Sequence, residues 1–289
     1  MVMEISGRTG LFALIGTPVG HSKSPVMYNY SFKKLDLDYR YLAFDITIDK
    51  VKEALLAIKT FNIKGANVTM PCKSAVTEYM DELSPAARII GACNTIVNDN
   101  GKLVGHITDG VGYVRNLKEN GVEVKGKKIT IMGAGGAATA IQVQCALDGA
   151  REISIFNPKD DFYKRAEQTV ENIKKDVPEC VVNLYDLEDT NKLYEEIESS
   201  DILTNATLIG MKPYDNETNI KDTSVLRKDL VVTDVVYNPK KTKMIEDAEA
   251  NGCKAIGGLG MLLYQGAEAF NLYTGLEMPV EEVNELCFK

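Results

Sequence analysis

The sequence predicts an α/β protein of two domains, and three observations carry the prediction. Short apolar runs alternate with helical patterns along nearly the whole chain, the rhythm of βα units with largely parallel pairing. The length, 289 residues, exceeds the ~100–200 residues of one typical domain. A glycine-rich turn, "GAGGAA" at 133–138, stands between an apolar run and a helical pattern.

The elements follow in order. "LFALIG" (11–16), ended by Gly16-Thr17-Pro18, reads as a buried strand. "SPVMYNYSFKKLD" (24–36) reads as a helix in which Ser24 is the N-cap and Pro25 the first helical residue. "YRYLAFDI" (39–46) is a β-rich run, and "DKVKEALLAIKTFN" (49–62) puts Val51, Leu55 and Ile58 on one helical face. "KGANVTM" reads as a strand and "SAVTEYMDEL" as a helix. "ACNTIVND" and "KLVGHIT" flank a hairpin turn at Asn98-Asp99-Asn100-Gly101. "GYVRNLKENG" (112–121) is a helix closed by Gly121.

A second βα series begins with the strand "KKITIMG" (127–133) and the helix "AATAIQVQCALDGA". The strand "REISIFN" (151–157), the helix "FYKRAEQTVENIKKDV", the strand "CVVNLYDL" and the helix "NKLYEEIESS" follow. "DILTNAT" and "LVVTDVVYNP" supply two strands, "TKMIEDAEANG" a helix and "CKAIGG" a last strand. "GMLLYQGAEAFNLYTG" (260–275) is a helix ended by Gly275.

The bulk numbers exclude several function classes. A formal charge of −8 opposes nucleic-acid binding, which needs a basic surface to displace counterions. The six cysteines are scattered without a CxxC pair, as reduced thiols of a cytoplasmic protein are. With only His21 and His106, a multi-histidine metal site is not expected, and no metal is assigned. The N-terminal stretch, interrupted by Glu4 and Arg8, is not expected to be a leader, and no run of ~18 apolar residues suggests a membrane span.

The glycine turn carries the first specific chemistry. Gly133, Gly135 and Ala138 form a GxGxxA pattern after a strand and at the head of a helix, the context of a Rossmann-type dinucleotide site. The first glycine permits the tight turn, the second lets backbone approach a pyrophosphate, and the small third residue allows close packing. The helix N-terminus adds N–H groups and a positive dipole end. A plain glycine-rich turn is the alternative.

Outside the turn, each candidate has a bland counterpart. Ser22 and Ser24 could meet one carboxylate, or Ser24 could simply cap its helix. Lys73 lies just past a strand end, where α/β ligands sit, or is a solvated loop charge. Asn94 stands among small and β-branched residues, where a buried amide needs partners. Thr108 and Asp109 end a strand, though Asp-Gly there is usually a turn. His106 reads as a packing residue, His21 as a loop residue, and Gln265 as a helix-edge amide. Two hypotheses cover them: a dehydrogenase acting on a small polar substrate, or a nucleotide-sensing regulator without chemistry.

Taken in order, "HSKSP", "NVTMPCK", "GACNTI", "TDG" with a glycine two residues on, "GAGGA", "VYNP" and "GMLLYQGA" resemble the shikimate dehydrogenase family. The resemblance runs nearly the full chain. It is closest to the quinate/shikimate branch, through "MPCKSAVTEYMDELSPAARIIGACNTIVND" and "DILTNATLIGMKP". It implies an oxidoreductase of aromatic amino acid biosynthesis, on the route to chorismate, that reversibly reduces 3-dehydroshikimate to shikimate. Quinate and 3-dehydroquinate stay open as a second pair, and an NAD-dependent quinate dehydrogenase as the alternative function. Lys73 and Asp109 fall on the family's proton-transfer pair. Ser22, Ser24 and Tyr41 fall on its carboxylate clamp, and Thr69, Asn94, Thr108 and Gln265 on positions that read ring hydroxyls. Gly133, Ala134, Gly135, Gly136, Ala137, Asn157, Lys159, Asp160, Thr207, Val235, Tyr237 and Gly258 fall on cofactor positions.

The same resemblance implies a substrate domain over 1–113, completed by C-terminal helices 262–289, and a cofactor domain over 114–261, with the active cleft between them. A homodimer is left open, and no partner beyond small molecules is expected. For the cofactor, NADP-using relatives carry an arginine where "FNPKDDF" has Pro158. Lysine offers a 2′-phosphate only a point charge, while Asp160 and Asp161 could accept from a free 2′-OH. The expectation is NAD, with NADP used through Lys159; a bare helix cap is the other reading of Asp160.

Overall fold

The computed structural model describes residues 5–288; residues 1–4, part of the stretch read above for a leader, lie outside the described residues. The chain divides into two compact units, one running to Thr108 and resuming at Leu263, the other Asp109–Leu262.

The first unit holds strands β1 (Gly10–Gly16), β2 (Tyr39–Asp45), β3 (Gly65–Val68), β4 (Glu82–Leu83), β5 (Thr95–Asp99) and β6 (Lys102–His106) in the order β2-β1-β3-β5-β6-β4. Its helices are α1 (Ser24–Lys34), α2 (Val51–Thr60) and α3 (Pro85–Ile90). Near the C-terminus come α9 (Leu259–Thr274), of which Leu263 onward belongs here, and α10 (Val280–Phe288). β1 is continuous in apolar character because both faces of the sheet are covered. Phe12 and Leu14 pack with Tyr28, Phe32, Phe270 and Val283 on one side. Ala13 and Ile15 pack with Val51, Leu55 and Ile58 on the other. The β5–β6 hairpin closes on Asn100 (φ 52°) and Gly101 (φ 95°), between paired Asp99 and Lys102, the two positive-φ residues a tight primed turn needs.

Two elements differ from the sequence reading. "SAVTEYMDEL" is not a helix but a 3₁₀ turn, Ala75–Tyr79, followed by β4. The Thr77 hydroxyl donates to the Ser74 carbonyl, and Asp81 is drawn onto β6, its N–H giving to Leu103 O and its carboxylate accepting from Leu103 N. Local hydroxyl bonding and strand pairing outcompete the helix. The short α3, capped by the Ser84 hydroxyl on Ala87 N–H, went unread despite its Ser-Pro start.

The second unit holds α4 (Asp109–Glu119) and strands β7 (Lys128–Met132), β8 (Glu152–Asn157), β9 (Val181–Asp186), β10 (Ile202–Asn205), β11 (Val231–Asp234) and β12 (Lys254–Ile256). Its remaining helices are α5 (Gly136–Leu147), α6 (Asp161–Asp176), α7 (Thr190–Glu198), α8 (Lys243–Ala250) and the start of α9. Helix α4, which the sequence reading divided after residue 113, stays whole within this unit. The sheet order is β12-β11-β10-β7-β8-β9, every pairing parallel. This is the doubly wound Rossmann-type order, whose direction reverses between β7 and β10; ligands bind outside the strand ends at such a switch point. Among the described residues no helix is long and apolar enough to cross a membrane.

Candidate active site

The switch point of the second unit is occupied by the glycine turn. A cavity of about 390 Å³ opens there, lined by Gly135, Gly136, Ala137, Ala206, Thr207, Val235 and Tyr237, with Leu208, Met211, Lys212, Val236 and Asn238. Gly133 sits at φ +114°, and a Cβ there would stand 2.5 Å from Ala206 O, so only glycine lets β7 turn against β10. A Cβ on Gly135 or Gly136 would meet no protein atom; their backbone faces open space that a ligand can approach. The first N–H groups of α5 have no acceptor within the helix. The fit to a dinucleotide pyrophosphate is therefore good.

Hydrogen bonds hold the far wall. Asp234, at the end of β11, accepts from Asn205 Nδ2 (3.0 Å) and Val236 N (2.9 Å) on Oδ1, and from Thr242 Oγ1 (2.7 Å) on Oδ2. Burial raises its carboxyl to about 6. Gly258 closes on this wall, since a Cβ there would lie 2.2 Å from Val235 O. The Thr207 hydroxyl donates to Asn205 Oδ1 at 2.7 Å and accepts from Ile209 N and Asn219 Nδ2, so its side chain shapes its own loop. Of the residues expected at the cofactor, Gly135, Gly136, Ala137, Thr207, Val235 and Tyr237 line the cavity, and Gly133 and Gly258 set its shape. Ala134 is buried in the turn behind it.

Asn157, Lys159 and Asp160 lie at the end of β8, and their geometry alters the sequence argument. Asp160 is the N-cap of α6: its Oδ1 accepts from Phe162 N (2.9 Å), Tyr163 N (3.3 Å) and Asn157 Nδ2 (2.9 Å). Lys159 Nζ lies 3.8 Å from Asp186 Oδ2, at the end of β9. The carboxylate offered as a ribose reader is thus engaged in starting a helix, as the bland reading had it.

In the first unit the candidate polar residues gather at one end of the sheet. β1 and β3 run parallel while β5 is antiparallel to both β3 and β6, so the ends of β1, β3 and β6 and the start of β5 share that end. Ser22 and Ser24 follow β1, Thr69 and Lys73 follow β3, Asn94 precedes β5 and Thr108 follows β6. The turn after β3 is tied down by Thr69 N–H to Ile15 O (2.9 Å), Cys72 N–H to Thr69 O (3.0 Å) and Cys93 N–H to Lys73 O (2.8 Å). Burial pushes the Cys93 thiol beneath it up to about 12.

Ser24 is not the cap of α1. Lys23 holds that position without a side-chain bond, and Ser24 is the first helical residue. The Ser22 hydroxyl accepts from Ser24 N–H and donates to Ser24 Oγ, both at 3.2 Å, so the two hydroxyls form one pair. Tyr41, expected as a third donor to the carboxylate, has its hydroxyl in hydrogen-bonding contact with Ser24 of the pair. It is fully buried, stacks on Tyr28 with centroids 4.5 Å apart, and donates to Asn67 Oδ1 at 2.8 Å. Gln265 lies on α9, whose next residue, Gly266, accepts from Tyr28 OH at 3.1 Å.

A buried amide chain links these points. Asn67 Nδ2 donates to Thr95 Oγ1 (3.2 Å), Thr95 Oγ1 donates to Asn94 Oδ1 (2.9 Å), and Asn94 Nδ2 donates to Thr108 Oγ1 (3.1 Å). Thr108 N–H returns to Asn94 Oδ1 at 2.9 Å. Sequence reasoning missed Asn67, Thr95 and Lys212. The first two are cross-strand neighbours by the 67–95 register; Lys212 could have been found as a residue beyond a strand end at the switch point. Lys73 and Asp109 are both partly exposed, and Asp109 opens α4 directly after Thr108. Among the described residues no three His, Cys, Asp or Glu side chains group as a metal site requires.

A chain that carries both a Rossmann-type unit with a cavity at its switch point and an α/β unit whose polar side chains converge at one sheet end has the features of the nicotinamide-dinucleotide oxidoreductases. Comparison with known proteins makes this specific. Residues 14–96 match the shikimate dehydrogenase substrate binding domain, and residues 258–287 the shikimate 5′-dehydrogenase C-terminal domain. A shikimate dehydrogenase (NADP(+)) of Listeria monocytogenes is 53% identical over 285 residues, 99% of this chain and 98% of that protein. The crystal structure of shikimate 5-dehydrogenase from Listeria monocytogenes, in complex with shikimate and NAD, matches with a TM-score of 0.96 and 52% identity over 100% of this chain and 99% of that one. A quinate dehydrogenase from Corynebacterium glutamicum, in complex with NAD, gives 0.85 and 31% over 96% and 98%. The chain belongs to the shikimate dehydrogenase family.

Proposed function

We propose that this protein reversibly reduces 3-dehydroshikimate to shikimate with a nicotinamide dinucleotide. One observation carries the reading. Lys73 projects from a turn pinned at the sheet end where Ser22, Ser24, Thr69, Asn94 and Thr108 gather, an arrangement a solvated loop charge does not require. A bound dinucleotide supplies or takes up the hydride. The chain's residues do the rest: the Lys73 ammonium stabilises charge at the reacting oxygen, protonates it, and recovers the proton in the reverse direction. Asp109 is the second proton-transfer residue, an assignment resting on its place in "TDG". Ser22 and Ser24 hold the carboxylate, and Thr69, Asn94, Thr108 and Gln265 take the ring hydroxyls, giving discrimination as well as affinity.

Among the cofactors, NADP is the better-supported reading. The relative at 53% identity is named for it, and capping removes much of the case for Asp160 as a ribose reader. The absence of an arginine at Pro158, and NAD in the structure at 52% identity, favour NAD as a second usable cofactor. A quinate activity is the second reading for the substrate, supported by the quinate dehydrogenase at 31% identity. The cytoplasm suits the six free thiols. The test is absorbance of reduced nicotinamide with shikimate and quinate, each with NADP and NAD. Turnover of shikimate with NADP is expected; no turnover with any pair would leave a nucleotide-sensing regulator.

A further inference from the structure

Gln142 lies in the second turn of α5, wholly buried, where a long polar side chain has no evident reason to be. Its Nε2 donates to the carbonyl of Gly133 at 2.9 Å, back across the glycine turn, while its Oε1 makes no hydrogen bond with the protein. The orientation is chemically fixed, because an amide oxygen turned toward the Gly133 carbonyl would set two acceptors against each other. A buried amide with one unsatisfied atom is a cost an aliphatic residue would not carry.

The neighbouring carbonyls are drawn the same way. Ala134 O accepts from Thr139 Oγ1 at 3.4 Å, and Gly135 O from Thr139 N–H at 2.9 Å. Gly133 N–H is fixed separately on Phe156 O at 2.7 Å. Three successive carbonyls, from Gly133 to Gly135, therefore face α5. In a planar trans peptide the C=O and the following N–H point in opposite directions. Holding these carbonyls inward aims the N–H groups of Ala134, Gly135 and Gly136 to the side away from α5, Ala134 from within the turn and the two glycines at the cavity they line. Such successive N–H groups make an anion-binding concavity.

We infer that Gln142 is a positioning residue of the dinucleotide site: by fixing the Gly133–Ala134 peptide plane, it sets how tightly the turn binds the cofactor's pyrophosphate. The inference rests on the dinucleotide-binding reading above, and it concerns a residue that never touches the cofactor. It predicts a loss confined to the dinucleotide. The Gln142→Met variant keeps the reach and apolar volume but lacks the donor. Its Kd for NADP, titrated on the full chain without shikimate, should rise about tenfold, the worth of one buried hydrogen bond. The KM for shikimate, and kcat at saturating dinucleotide, should stay near the parent values. In the free protein the Ala134 amide resonance should move as its peptide plane is released. Thr139→Val, which removes only the longer bond to Ala134 O, should raise Kd about two- to threefold; it carries the test if Gln142→Met does not fold. A folded Gln142→Met with unchanged Kd and an unmoved Ala134 resonance would overturn the inference, as would equal losses in dinucleotide and shikimate binding. In the fallback, so would an unchanged Kd in Thr139→Val. A parent chain that binds neither NADP nor NAD overturns the dinucleotide reading first, and this inference with it.

Discussion

The two units present their polar groups in opposite ways. The second offers backbone: three glycines and two alanines in one unbroken turn, with side chains such as Asp234 and Asn205 bonded to one another in the far wall. The first offers side chains, collected from the segments after β1, β3 and β6 and before β5. A backbone site is broken by adding atoms, and a side-chain site by removing them. The contrast also separates binding a common cofactor, which needs little more than N–H groups and space, from reading one particular ring, which needs distinct donors at distinct places.

The largest effect should come from Lys73, the side chain assigned to the reacting oxygen. Lys73→Ala is expected to lower kcat by roughly 10²–10⁴-fold, the usual range for a general acid–base group. The thermal midpoint should hold, because backbone bonds from Cys72 N–H to Thr69 O and from Cys93 N–H to Lys73 O pin the turn whatever the side chain at 73. A kcat near the parent value would return Lys73 to the solvent. Next is the serine pair. Ser22→Ala with Ser24→Ala removes two hydroxyls that a carboxylate would accept from, hydrogen bonds worth about 1.5–3 kcal/mol each to a charged group. The expected result is a rise in shikimate KM of about a hundredfold with a smaller change in kcat. A smaller thermal loss than a lost helix cap brings is also expected, since Ser24 does not cap α1.

The same contrast explains what could be read in advance. "GAGGAA" was legible because everything it needs is local: glycine where the backbone must turn under Ala206, small residues where it must approach a ligand, and a strand and helix on either side. The hairpin at Asn100-Gly101 was legible for the same reason. Asn67 was not, because in sequence it is one polar residue in a four-residue buried strand. Its meaning appears only when β5 pairs against it and brings Thr95 opposite. The supposed helix at 74–83 failed likewise, since the bonds between Asp81 and Leu103 join it to a strand 22 residues away. Family resemblance, not periodicity, picked out Lys73 from other loop lysines.

Two tests sharpen the backbone side. Asp234 titrates near 6 instead of 3.8 because burial disfavours its charge. Between those values the folded chain binds more protons than the unfolded one, so this group's contribution to stability falls as pH rises from about 4 to about 6. Two units at 1.36 kcal/mol each give ~3 kcal/mol over that window. Asp234→Asn should flatten this part of the thermal midpoint's pH dependence; an unchanged slope would show that the carboxyl is not titrating there. Gly133→Ala forces a Cβ against Ala206 O and strains a positive φ. It should cost ~1–3 kcal/mol, read as weaker NADP binding with the shikimate KM unaffected. Retained NADP affinity would mean that the turn can relax.

The smallest expected effect decides the most specific question. Asp160→Ala removes the N-cap of α6, where Oδ1 serves both Phe162 and Tyr163 N–H. A lost cap costs about 0.5–2 kcal/mol, which for a unit of this size is a fall of a few degrees in the thermal midpoint. If capping is its whole role, kcat/KM for NADP and for NAD should move together and their ratio should hold. If the carboxylate also reads a free 2′-OH, kcat/KM for NAD should drop while that for NADP rises, since a negative charge near the 2′-phosphate has gone. Asp160→Asn separates the two roles, because asparagine caps a helix about as well as aspartate but carries no charge. A normal midpoint with an unchanged cofactor ratio in that variant would leave Asp160 as a cap alone. Lys159, held near Asp186, and Lys212, at the cavity wall, would then be the cations from which NADP use has to be explained.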